Sequence, residues 1–91
     1  MFTLSAELTF YIPQAVSLKD KRHVRRSIID KTRHKFNVAI AEIDTQDAVQ
    51  TLTIGIAVVS GETAHRQNAI DEIVRFMESH AEAELTSVEI E

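Results

Sequence analysis

The stretch SLKDKRHVRRSIIDKTRHKF, residues 17–36, decides how the rest of the chain is read. Ser17, followed three residues later by Asp20, is a capping-box-like helix start. From there Val24, Ile28, Thr32 and Phe36 recur at every fourth residue, with Leu18 and Ile29 near the same arc. The spacing predicts one continuous amphipathic helix of about five turns, beginning at Ser17 or Leu18. Val24, Ile28 and Phe36 are its expected buried residues.

On the N-terminal side, residues 2–12 alternate. Phe2, Leu4, Ala6, Leu8, Phe10 and Ile12 share one face, while Thr3, Ser5, Glu7, Thr9 and Tyr11 share the other. A period of two predicts a half-buried strand, and Pro13 ends it. After the helix, NVAIAEID (37–44) predicts a second strand. Val38 and Ile40 share a face but Ile43 has the opposite parity, which predicts a bulge near Ala41–Glu42 that turns Ile40 and Ile43 both inward. The segment TQDAVQ (45–50) turns the chain, and Leu52, Ile54, Ile56 and Val58 alternate in a strand over about 49–60. Ser60-Gly61 breaks it. Ile70, Ile73, Val74 and Met77 then form the stripe of a second helix over about 63–79, and LTSVEI (85–90) is the last strand. The order βαββαβ implies an α+β, ferredoxin-like fold, with two helices on one face of a four-stranded antiparallel sheet. Residues 1–91 are expected to form a single domain, with no repeat or linker.

Composition narrows the class. Ninety-one residues suffice for one core but not two. The chain has no cysteine, so disulfide and thiol chemistry are excluded. The opening MFTLSAELTF has no basic region and carries Glu7, unlike a signal peptide. The apolar run IGIAVV falls far short of the roughly 20 residues of a membrane span. A soluble, cytoplasmic protein with no membrane partner is expected.

Charge carries the functional signal. The net charge is -4, yet eight of the ten Lys and Arg lie within residues 17–36, opposed only by Asp20 and Asp30. Outside that segment Arg66 and Arg75 face twelve acids. On a helical wheel Lys19, Arg22, Arg26 and Arg33 fall within about 60° of one another, opposite the apolar stripe. They form a ridge roughly 21 Å long. Cations near a helix N-terminus oppose the macrodipole, each at a typical cost of about 0.3–1 kcal/mol. An ordinary solvated face mixes signs, with acids near its N-terminus; this one puts cations there, and Asp30 interrupts the ridge. Lys19, Lys21, Arg22, Arg25, Arg26 and Arg33 are therefore the candidate nucleic-acid-binding residues, set to track phosphates of structured RNA or of a ribosomal subunit. The alternative is a homodimeric protein-interaction module without nucleic-acid binding. Its contact would be the open sheet face (Thr3, Ser5, Glu7, Thr9, Tyr11), an exposed edge strand, or the basic ridge against the acids of a second copy.

The same residues resemble the YlxP-like family of small bacterial proteins, known as a domain of unknown function. SLKDKR (17–22) is similar to the family's SLK-acid-KR helix start, and FNVAIAEIDTQD (36–47) to its FNVS-like strand and acidic turn. The first strand and the terminal VEIE are similar in kind, so the resemblance spans essentially the whole chain. One departure is Ala48, where relatives often carry a tryptophan. The resemblance implies a ferredoxin-like fold. It also implies genes that commonly neighbour those of a translation initiation factor and a ribosome-binding factor, an associational pointer toward RNA. It supplies no catalytic residues.

Enzymatic readings find little support. His23 and His34 project at similar azimuths but lie roughly 16 Å apart along the helix, too far to share an ion. His65 and His80 lie near opposite ends of the second helix, so no metal site is expected. Glu42 and Asp44, about 6.6–6.8 Å apart along a regular strand, with Asp47 form the best acidic cluster. That cluster suits a carboxylate pair or a loosely held Mg²⁺. Its simpler role is a turn shaped by Asp44 and Asp47, with Glu42 facing solvent, pairing across strands or receiving a partner's cation. The serines have no nucleophile-elbow setting, and with only Gly55 and Gly61 there is no phosphate-binding glycine loop. No cofactor and no enzymatic activity are expected. The chain lacks Trp, and its aromatic residues are Tyr11 and four Phe. Phe2, Phe10 and Phe36 are assigned to the core and Phe76 to the edge of a helix stripe, which excludes an RRM-like reader of single strands.

Overall fold

The computed structural model describes residues 1–61 and 66–91, with side chains of 66 and 67 excepted. Six elements follow in order: β1 (Phe2–Tyr11), α1 (Leu18–Lys35), β2 (Ala39–Glu42), β3 (Thr51–Ser60), α2 (Arg66–His80) and β4 (Glu84–Ile90). The strands form one antiparallel sheet in the order β2-β3-β1-β4, so the fold is α+β and ferredoxin-like. The expected start of the second helix at 63 lies outside the described residues. Among the described residues no helix is long and apolar enough to cross a membrane.

The alternation in β1 explains the core. Leu4, Ala6, Leu8 and Phe10 are buried on the helix-facing side and pair across to Val58, Ile56, Ile54 and Leu52 of β3. Val24 and Ile28 of α1 and Ile70, Ile73 and Met77 of α2 close over them. Each buried Val, Leu, Ile, Phe or Met among them contributes about 1.5–3 kcal/mol by leaving water. Phe2 and Phe36, assigned to the core by the sequence, are only half-buried.

Helix α1 is one unbroken element. Ser17 caps it by accepting the Asp20 N–H at 3.2 Å, and Asp20 in turn accepts the Val16 N–H at 3.0 Å. Thr32 lies on the buried stripe, and its hydroxyl is satisfied by the Ile28 carbonyl at 2.7 Å.

The expected bulge in β2 is absent. Ala39, Ile40, Ala41 and Glu42 pair in unbroken register with Ala57, Ile56, Gly55 and Ile54, and the Ile43 N–H continues to the Thr53 carbonyl at 2.8 Å. Ile40 therefore faces the core while Ile43 lies on the open face. The physical reason is Gly55. A Cβ there would sit 2.9 Å from Ile43 Cγ1, so only glycine leaves room for Ile43 to lie across β3 and stay half-buried. The sheet's irregularity falls instead between β1 and β4. Thr9 pairs with Ser87 and Phe10 with Leu85, which leaves Thr86 as the extra residue.

Candidate nucleic-acid interface

The cations of α1 divide into two sets, and the division follows the helix azimuth. Lys21 falls at about 200° on the wheel, between Ile28 at about 180° and Thr32 at about 220°. It is 1 % exposed and points into the molecule. Its ammonium lies 2.6 Å from Glu42 Oε2 and also donates to the Thr45 carbonyl. Arg25, one turn on, donates from Nη1 to Glu42 Oε1 at 3.1 Å, and its side chain is 29 % exposed.

Glu42 has the parity of Ile40 and so faces α1 rather than solvent. Its side chain is 5 % exposed, and the Thr45 hydroxyl donates to Oε2 at 2.8 Å. Burial pushes the Glu42 carboxyl upward, but hydrogen bonds from Lys21, Thr45 and Arg25 and the Lys21 charge outweigh it and hold the pKa below its ordinary value. Thr45 also accepts the Thr53 N–H at 3.0 Å, so the cluster ties α1, the β2–β3 turn and β3 together.

This arrangement corrects two expectations. Lys21 leaves the surface where a phosphate would meet it, because its azimuth is that of the apolar stripe. Arg25 is partly withdrawn for the same reason. Glu42 is neither solvent-facing nor paired across strands, and its cations come from this chain's own helix rather than a partner. Asp44 lies beyond the end of β2, exposed, with φ 58 in the left-handed region that Asp tolerates in turns. Glu42 and Asp44 consequently form no carboxylate pair.

The second set points outward. Lys19, Arg22 and Arg26 are exposed and, with His23, line a concavity of about 290 Å³. Among the described residues none of these three cations has a carboxylate within salt-bridge distance. Arg33 is exposed as well, but its Nη2 donates to the Ile40 carbonyl at 3.2 Å, so it is anchored to β2. His23 completes the concavity and was not among the candidate residues. Its azimuth, about 40° from Lys19, was the available signal.

Other polar groups sit elsewhere. Glu7 pairs directly with Glu89 on the open sheet face, and Glu91 accepts from Ser5 at that face's edge. Ala39, Ala41, Ile43, Gly55 and Ala57 floor a trough there of about 400 Å³. Among the described residues no group of His, Asp or Glu is placed to hold a metal; His65 lies outside them.

Comparison with known proteins adds the family. The family described as "Protein of unknown function (DUF503)" matches residues 3–90. The "Uncharacterized protein YlxP" of Bacillus subtilis (strain 168) is 38% identical over 81 residues, covering 89% of this chain and 88% of its own. Among solved structures, the de novo designed protein Ferredog-Diesel aligns over 97% of this chain and 84% of its own, with 14% identity and a TM-score of 0.46. With a family match across nearly its full length and a relative of that similarity, the chain belongs to the DUF503 family of YlxP-like proteins.

Proposed function

We propose that this protein is a non-enzymatic RNA- or ribosome-binding accessory protein that lays the outer face of α1 along phosphates. The observation that carries the reading is the sorting of charge on one helix. Glu42 pairs with both cations that turn inward, while Lys19, Arg22 and Arg26 stay exposed around one concavity and, among the described residues, unpaired with acid. Three cations along one helix face place positive charge in a line that a polyanion can follow. Sedimentation of cell lysate on a sucrose gradient at low and high salt tests it. Co-migration with ribosomal subunits that salt disrupts is the expected result. Migration as a small free species at both salt concentrations would refute it.

A second reading has one observation in its favour. Ile43, expected inside, instead adds a large apolar side chain to the uncovered sheet face beside the alanine-lined trough. That favours a homodimer through this face. The opposed Glu7 and Glu89 weigh against it, since a two-fold contact brings these carboxylates toward their own copies. Sedimentation equilibrium separates the readings: a monomer at micromolar concentration removes the dimer.

A further inference from the structure

The C-terminal ends of the two helices meet in a group of rings that phosphate binding leaves unused. Lys35 and Phe36 close α1; Phe76 and His80 close α2. Phe36 meets Phe76 edge-on, with centroids 5.4 Å apart at 81°. On Phe76 the His80 imidazole is stacked, at 4.1 Å and 23°. The Lys35 ammonium lies 5.3 Å from the Phe76 centroid and 5.8 Å from that of Phe36.

His80 is exposed, and an exposed side chain ordinarily samples several rotamers. This one is held. Its Nδ1 lies 2.9 Å from the Phe76 carbonyl and 2.9 Å from Ser79 Oγ, and Ser79 itself donates to the Phe76 carbonyl at 3.1 Å. Hydrogen bonds through one nitrogen and stacking on one ring face leave Nε2 and the other face toward solvent. The result is a flat π-surface, fixed in orientation, stacked on a ring that also carries the Lys35 ammonium.

We infer that His80, backed by Phe76, is a stacking platform for an unpaired nucleobase of the RNA bound along α1. The inference rests on the RNA reading above and adds to it a base-dependent subsite. A nucleobase matches the platform because every base offers a π-face, and stacking of this kind needs no particular sequence. Lys35, over the Phe76 ring, adds positive charge at this end of the two helices. From Arg26 to Lys35 the helix advances roughly 14 Å, the axial rise of about four stacked nucleotides. Between them the helix also turns by about 180°, so an RNA strand that joins the concavity to the platform passes around the C-terminal end of α1.

The test uses two probes, a short RNA duplex and the same duplex interrupted by an adenine-rich internal loop, titrated by fluorescence anisotropy at several salt concentrations. The full-length protein is expected to bind the looped RNA about tenfold more tightly. His80→Ala should abolish that preference while keeping duplex affinity and its salt slope, and His80→Phe should preserve it. His80→Ala that still prefers the looped RNA overturns the platform. A wild type that binds both probes equally, with a steep salt slope, also overturns it but leaves the α1 reading standing. If the wild type binds neither probe, both readings fall.

Discussion

Lys21 and Arg26 stand on the same helix, five residues apart, and meet opposite surroundings. Lys21 is sealed against Glu42 and Thr45, while Arg26 faces solvent beside Lys19, Arg22 and His23. The difference is azimuth. A cation that falls on the apolar arc has to be desolvated, and it is tolerated only where a carboxylate and a carbonyl replace its water. A cation on the outer arc keeps its water and its availability. One basic segment thus holds two kinds of cation, sealed and solvated, and each substitution along it probes which kind a residue is.

The largest effect is expected at Lys21. Lys21→Ala leaves the Glu42 carboxylate buried with only the partly exposed Arg25 as a cation. Breaking a buried pair from one side costs about 3–5 kcal/mol. The retained Arg25 argues for the lower end, about 3 kcal/mol. For a domain of this size that lowers Tm by more than about 10 °C. Thermal unfolding followed by circular dichroism measures it. The double variant Lys21→Met with Glu42→Leu should recover most of the loss, because apolar replacement of both partners removes the stranded charge. A single-variant loss below about 1 kcal/mol would show that the pair is not what holds the turn to α1.

Acid sharpens the same point. The folded-state pKa of Glu42 is depressed, so its contribution to stability is fully present above the unfolded value. It is lost as pH falls below the ordinary glutamate value of about 4.3 and through the folded pKa. Glu42→Gln should remove this component, giving a shallower loss of stability below that pH. Urea titrations across the acid range report it. Equal acid slopes in variant and wild type would contradict the assignment.

The outer set should behave in the opposite way. Lys19→Gln, Arg22→Gln and Arg26→Gln together remove little packing and keep helix propensity. Relief of the dipole penalty should leave stability unchanged or slightly raised. If each cation meets one phosphate, the log–log salt slope of RNA binding becomes shallower by about two to three. Affinity at low salt should then fall by more than about tenfold. A variant that binds RNA like the wild type removes the outer face from the proposal.

These expectations also locate what the sequence makes legible. Alternation in β1 and the four-residue spacing in α1 are local patterns, and they carried the element order and the sheet's covered face. Parity changes are less informative alone. Ile40 and Ile43 differ in parity, and β2 stays regular because Gly55 lets Ile43 lie on the open face. Leu85 and Val88 show the same change in β4, and there Thr86 takes it up as an extra residue. What separates the two cases is the partner strand, which the segment itself does not encode. The inward course of Lys21 was legible on the wheel, whereas its pairing with Glu42 required knowing that β2 lies beside α1. The concavity and the held orientation of His80 depend on side-chain rotamers, which spacing does not specify.

Arg25 is the intermediate case, and the smallest effect is expected there. Its azimuth of about 240° lies between the two sets. One guanidinium nitrogen meets Glu42 at 3.1 Å while 29 % of the side chain remains exposed. If the ion pair is its whole role, Arg25→Gln should cost about 0.5–1 kcal/mol, the scale of a partly solvated pair, because Lys21 still neutralises Glu42. The salt slope of RNA binding should stay as in the wild type, since a guanidinium turned to Glu42 is not released to a phosphate. A slope shallower by about one would instead count Arg25 among the phosphate contacts. In that outcome RNA competes with Glu42 for the same cation, and the boundary between the two sets moves outward by one residue.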